Sequence, residues 1–227
     1  MRVLVFTKYP QPGMVKTRLG QTVGPERAAK LQEAFIHDEL RMLAKLGANV
    51  ILCCDPFRPL ADYKRLFGPE LHYRAQHGPN LGERMLHALR TALQENGDKA
   101  VLIGSDLPDL PAQHIEEAFA ALRTAQICLG PATDGGFYLL GLRATLPADV
   151  SDLSDIFEGV IWGETEVLQR TLENCRSKGL SHHLLPPWPD VDTAADLAAF
   201  AARNPDARTR SMDLVRILGL TEDAWKP

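Results

Sequence analysis

The stretch RVLVFTKYPQPGMVKTRLGQTVGPERAAKLQEAFIHDELRMLAKLGANVILCC, Arg2 to Cys54, decides the fold class. It opens and closes on apolar runs, RVLVF and NVILCC, that are near-continuous rather than alternating, as strands covered on both faces require. Between them Leu31, Phe35, Met42 or Leu43, and Leu46 recur at helical spacing. Pro25 suits the first turn of that helix and Gly47 its stop. A strand, a crossover helix and a second strand predict a parallel βαβ unit.

The pattern continues outward. KAVLIG from Lys99, AQICLG from Ala125 and FYLLGL from Phe137 are further runs of strand length. Leu81, Met85, Leu89 and Leu93 mark a helix ending near Gly97, and Ile115, Phe119 and Leu122 mark another. HLLPPW near His183 is readable as a short edge strand, TEVLQRTLENCRSKG as a helix closed by Gly179, and Thr209 to Leu218 as a last helix. The expectation is an α/β chain with a mostly parallel sheet and helices on both faces. Without internal repeats or linkers, residues 1–227 read as one domain.

Composition narrows the function. The 227 residues are 45% hydrophobic and 24% charged, enough for a well-buried core. A net charge of −4 and a pI near 6.0 give no broad cationic field, so no nucleic-acid partner is expected. No apolar run reaches the roughly 20 residues of a membrane span, and the N-terminus lacks the marks of a signal peptide. A cytoplasmic protein is expected, with Cys53, Cys54, Cys128 and Cys175 as reduced core thiols because no CxxC spacing occurs.

In a doubly wound sheet, ligands sit outside the carboxyl ends of the strands. The loop after the first strand, TKYPQPGMVKTRLG, lacks both the dinucleotide fingerprint and the phosphate-binding P-loop, since Gly13 and Gly20 stand seven apart and Lys16 follows Met14 and Val15. It does hold Lys8 and Lys16 as mobile charges, Arg18 as a rigid fork, and a turn with backbone N–H groups around Gly13. These are parts of a diphosphate cradle, although a solvated basic loop would read the same.

Three acidic segments follow. VLIGSDLPDL leaves Asp106 at a strand's carboxyl end, where Mg²⁺ bound with a nucleotide takes one or two carboxylates; a turn-forming Asp is the plainer reading. PDVDTAADL puts Asp190 and Asp192 on one side of an extended segment, able to complete a metal site, while Asp192 or Thr193 would equally cap the next helix with Asp196 in its first turn. LGPATDGG sets Asp134 before Gly135 and Gly136, which allow positive φ or close approach of a ligand; an Asp-Gly turn accounts for it as well. QHGPNLGERM offers amides for a nucleobase, or a loop with Asn80 as helix cap. Trp162 either walls a pocket or staples a helix to the core. His182 and His183, adjacent on a strand, would face opposite ways and share no metal.

Taken in order, TKYPQPGMVKTRL, QHGPNLGERM, GSDLPDL, GPATDGGFYLLGL, the Trp162 segment and DVDTAADL resemble the bacterial DUF2064 family of glycosyltransferases, associated with arsenosugar biosynthesis. The resemblance runs from Arg2 to about Leu197. It implies a Rossmann-like GT-A (nucleotide-diphospho-sugar transferase) fold, shared more distantly with guanylyltransferases. It further implies Lys8, Lys16 and Arg18 on the phosphates, Gln76, Asn80 and Gly82 near the base, and Asp106 and Asp192 on Mg²⁺ or Mn²⁺. Gly13, Gly135, Gly136 and Trp162 join the substrate-binding set. The family's Trp-Gly/Ser-Thr segment here reads Trp162, Gly163, Glu164, with Thr165 one place late, and Phe137 stands where tyrosine is common.

The reaction expected is transfer of a sugar from a nucleotide-diphosphate sugar to a small acceptor, with metal and cations stabilising the leaving diphosphate and Asp134 orienting or deprotonating the acceptor hydroxyl. The alternative is nucleotidyl transfer from an NTP to a phosphorylated acceptor, for which Arg143 is the candidate acceptor cation. A nucleotide-binding module without turnover is the third reading.

Overall fold

The computed structural model describes residues 1–95, 98–144 and 153–220. Seven strands form one sheet: β1 (Arg2–Thr7), β2 (Asn49–Cys54), β3 (His72–Ala75), β4 (Lys99–Ile103), β5 (Ile127–Pro131), β6 (Phe137–Arg143) and β7 (His182–Leu184). Their order is β3-β2-β1-β4-β6-β5-β7. All pairings are parallel except those of β6, which runs against both β4 and β5. The five apolar runs are all strands, and the His183 segment supplies the β7 edge.

The helices are α1 (Thr17–Val23), α2 (Pro25–Lys45), α3 (Leu60–Phe67), α4 (Leu81–Gln94), α5 (Ala112–Ala121), α6 (Val167–Ser177), α7 (Ala194–Arg203) and α8 (Arg210–Ile217), with a 3₁₀ turn at Leu153–Phe157. Pro25 opens α2 and Gly47, at φ 62°, follows its end as the spacing predicts. The expected stop of α4 at Gly97 lies outside the described residues. Four elements went unread in the sequence: α1, α3, the 3₁₀ turn and β3, whose four residues HYRA carry no apolar run.

Three apolar clusters hold the layers together. Ile36, Leu43, Tyr63, Ile115 and Leu139 belong to one face of the sheet, and Met85, Leu89, Leu140 and Cys175 to the other. A third cluster, with Leu31, Phe35, Phe200 and Val215, joins α2 to α1, α7 and α8 outside the sheet. Helix α2 is therefore covered on both sides, which buries even its polar residues Gln32, Asp38 and Glu39. Among the described residues no helix is long and apolar enough to cross a membrane, and the four cysteines are buried free thiols.

The connection from β3 through α4 to β4 crosses back over β1, so the strand order reverses between β1 and β4. That crevice is where an open α/β sheet binds its ligand.

Candidate active site

A cavity of about 700 Å³ opens at the carboxyl ends of β1, β2 and β4. Lys8 and Lys16 come to it from the opening loop, Asp55 from the end of β2, and Gln76, Asn80 and Arg84 from the entry to α4. Ser105 and Asp106 follow β4, Asp134 and Gly136 come from the β5–β6 turn, Trp162 and Glu164 stand before α6, and Asp192 precedes α7.

Lys16 is the pivot. It is the one non-glycine residue with positive φ among those described, at 48°, and that left-handed turn sends its side chain inward rather than to solvent. Its Nζ lies 2.5 Å from Asp106 Oδ1 and 2.8 Å from Asp192 Oδ1, with only 2% of the side chain exposed. Burial alone would lower the ammonium's pKa, but the two carboxylates outweigh it and hold it above the ordinary lysine value. Arg18 reaches the other oxygen of Asp192 at 2.5 Å. Burial would raise the pKa of Asp192; Lys16 and Arg18 overcome this and hold it below the usual carboxylate range.

The segment that delivers Asp192 is pinned step by step. Leu185 N–H donates to Leu129, Trp188 N–H to Pro131 and Val191 N–H to the Asp106 carbonyl at 3.0 Å. Tyr138 Oη donates to the Pro186 carbonyl. The helix after Asp192 has its own cap: Thr193 Oγ1 accepts from Asp196 N–H, and the Asp196 carboxylate accepts from Thr193 N–H. Such a cap contributes about 0.5–2 kcal/mol. Thr193 thus takes the capping role, and the Asp192 carboxylate is free to face Lys16. Asp190 behaves differently: burial first, then Asp192 and Asp134, push its carboxyl up to about 6.

Asp106 and Asp192 converge on one cationic point, and among the described residues no cluster of three His, Cys, Asp or Glu gathers. A two-carboxylate donor set fits a hard divalent ion whose other ligands are phosphate oxygens and water. It does not fit a metal held by protein alone.

The opposite wall is acidic and exposed. The Asp134 carboxylate accepts from Gly136 N–H at 2.9 Å, and Asp134 and Glu164 both stand in solvent. Gly135, at φ 93°, is required by the chain itself: a Cβ there would lie 2.0 Å from the Thr165 carbonyl oxygen. Its role is backbone packing, as is that of Gly82, where a Cβ would meet Trp162 at 2.8 Å and Phe157 at 2.9 Å. Trp162 lines the cavity and packs edge-on against Phe137 and Phe157.

Of the residues singled out in the sequence, Lys8, Lys16, Gln76, Asn80, Asp106, Asp134, Gly136, Trp162 and Asp192 line this cavity. Gly13, Arg18, Gly82 and Gly135 do not, though Arg18 is tied to it through Asp192. Gln76 is buried and donates to the Cys53 carbonyl at 3.0 Å, while Asn80 caps α4 through Glu83 N–H. Arg143 is a correction. Strand β6 runs antiparallel, so Arg143 pairs with Lys99 at the start of β4, the end of the sheet away from the cavity. Three lining charges were missed, Asp55, Arg84 and Glu164, of which the first two pair at 3.4 Å. Asp55 stands directly after a strand, the same positional signal that marked Asp106.

Comparison with known proteins gives the family and the fold. Residues 39–164 match the family model described as "Uncharacterized protein conserved in bacteria (DUF2064)". No curated protein matches. A crystal structure from Desulfovibrio desulfuricans G20, described as a "putative nucleotide-diphospho-sugar transferase", is 40% identical over 95% of this chain and 94% of its own, with a TM-score of 0.88. The inositol-1-phosphate CTP transferase of T. maritima shares 13% identity over 96% of this chain and 95% of its own, with a TM-score of 0.55. CMP:2-keto-3-deoxy-manno-octonic acid synthetase complexed with CTP also shares 13%, over 88% of this chain and 96% of its own, at 0.52. At such identities the last two establish a common fold alone.

Proposed function

We propose that this chain, which belongs to the DUF2064 family, is a metal-dependent glycosyltransferase acting on a nucleotide-diphosphate sugar, with residues 1–227 serving as one domain. The observation that carries the reading is the convergence of Asp106 and Asp192 on a single cation beside the β1/β4 crevice. Asp106 and Asp192 would hold Mg²⁺ or Mn²⁺, which when bound supplies positive charge against a leaving diphosphate. Lys8, which makes no ion pair among the described residues, faces the cavity as a ready phosphate contact; Lys16 and Arg18 add charge once the metal satisfies the aspartates. Gln76 and Asn80 lie on the side of the cavity where the base would sit, and Trp162 walls the acceptor side. Asp134 would orient the acceptor hydroxyl.

The acceptor side favours sugar transfer over nucleotidyl transfer. Its charged groups are Asp134 and Glu164, with Asp190 close enough to Asp134 to feel its charge. Arg143 is at the far end of the sheet. An anionic phosphate acceptor would meet carboxylates, whereas a neutral hydroxyl would meet hydrogen-bond acceptors. Nucleotidyl transfer remains the second reading because cytidylyltransferases share the fold.

The leaving group separates the two. Incubation with Mn²⁺, a panel of nucleotide sugars and triphosphates, and hydroxylated or phosphorylated acceptors should release a nucleoside diphosphate. Release of pyrophosphate from a triphosphate would replace this reading with the second. Tight binding with neither product would make the chain a non-catalytic nucleotide-binding module.

A further inference from the structure

Helix α2 reaches the cavity through Gln32, and two of its buried polar side chains, Gln32 and Glu39, bracket Asp106. Gln32 and Glu39 are seven residues apart, two helical turns, and so lie on one face. Gln32 Nε2 donates to the Ser105 carbonyl at 2.8 Å and to its hydroxyl at 3.1 Å. Glu39 Oε1 accepts from Leu107 N–H at 2.8 Å. Ser105 and Leu107 are the two chain neighbours of Asp106. The Asp106 carbonyl itself accepts from Val191 N–H, next to Asp192.

Gln32 is 3% exposed and Glu39 1%. Each leaves one oxygen buried without a hydrogen-bond partner: Gln32 Oε1 and Glu39 Oε2. Burying a polar group without a partner is destabilising, and few such groups persist in a native fold without a reason. Core packing alone would be served better by apolar residues at both positions. A fixed turn at Asp106 accounts for both groups at once.

We infer that Gln32 and Glu39 are positioning residues that set the Asp106 carboxylate, through its two neighbours, in register with Asp192 for a divalent cation. The inference rests on the metal role proposed for Asp106, and it extends the site from Gln32 at the cavity wall to Glu39 deeper in α2. Glu39→Gln keeps an acceptor oxygen at Leu107; Glu39→Leu removes it at similar volume; Gln32→Met removes the donor to Ser105.

The test is titration of the whole chain with Mn²⁺ alone, followed by the loss of the free-ion paramagnetic resonance signal, with thermal melting alongside. Asp106→Asn should abolish Mn²⁺ binding. Glu39→Leu and Gln32→Met should each weaken it about tenfold or more while the chain stays folded, and Glu39→Gln should stay within about twofold of the wild type. Wild-type affinity in both Glu39→Leu and Gln32→Met, with binding lost in Asp106→Asn, would overturn the positioning role and leave the metal site standing. Equal losses in Glu39→Gln and Glu39→Leu would overturn it too, since the acceptor oxygen would then not matter. Unchanged binding in Asp106→Asn would remove the metal reading and this inference together. Should Glu39→Leu fail to fold, Gln32→Met and Glu39→Gln still decide the question: wild-type binding in the first, or loss in the second, contradicts the inference.

Discussion

On the crevice side of the cavity, Lys16 is buried between two carboxylates, and the Asp106 turn is hydrogen-bonded from α2 and from the Asp192 segment. On the side made by the Asp134 turn and residues 162–166, the acidic side chains are exposed, and among the described residues the Asp134 carboxylate bonds only to its own turn. One side fixes a charge pattern to within a hydrogen bond. The other offers a shape and a sign. A preorganised charge array would suit the diphosphate of the proposed donor, because its cost of ordering is met on folding. The looser acidic wall suits an acceptor.

The sharpest way to break this comparison is to remove the pivot. Lys16→Met deletes the cation that holds Asp106 and Asp192 together. Mn²⁺ alone should then bind about tenfold more tightly, because Asp106 loses its competing cation and Asp192 keeps only Arg18 on its other oxygen, while a nucleoside diphosphate should bind more weakly by about tenfold or more. Calorimetry of the two ligands separately checks both signs. Losses for both ligands would mean that Lys16 supports the fold and nothing more.

The second test strikes the looser side. Gly135→Ala combines positive φ with a Cβ set 2.0 Å from the Thr165 carbonyl oxygen, so a destabilisation of about 3 kcal/mol is expected, or roughly 6–12 °C in a chain of this length. Differential scanning calorimetry reads it. An unchanged midpoint would mean that the wall yields, and that its glycines serve a ligand after all.

A smaller effect joins the two sides through Asp190, whose carboxyl is pushed up to about 6 by burial and by Asp192 and Asp134. A carboxyl raised in the fold binds its proton more tightly there than in the unfolded chain. Its favourable contribution is complete below the unfolded value of about 3.9 and is lost as pH rises through about 6. Asp190→Asn should therefore raise the melting point by a few degrees at pH 7.5 and change it little near pH 4. An equal shift at both pH values would rule out the titration as its cause.

The same contrast governs what the sequence disclosed. Strands buried on both faces announce themselves as unbroken apolar runs, so β1, β2, β4, β5 and β6 were legible; β3, a four-residue edge strand spelled HYRA, was not. Run composition carries no direction, and so the reversal of β6 was invisible and Arg143 was assigned to the wrong end. Asp106 and Lys16 could be found because position after a strand is a signal. The choice between Asp192 as cap and as site residue could not be made from spacing, since Thr193 satisfies the cap equally well on paper. Gln32 and Glu39 gave no signal: a polar residue on an amphipathic helix reads as a solvated face, and only the outer layer of α1, α7 and α8 turns that face inward.

The most direct test of the metal-diphosphate site is calorimetric titration of a nucleoside diphosphate with and without Mn²⁺, in the wild-type chain and in Asp106→Ala. Mn²⁺ should tighten binding at least about tenfold in the wild type, a gain of about 1.4 kcal/mol. In Asp106→Ala that gain should vanish while the chain stays folded, though with a lower melting point because buried Lys16 loses one of its two carboxylates. The same gain from Mn²⁺ in both proteins would contradict the account.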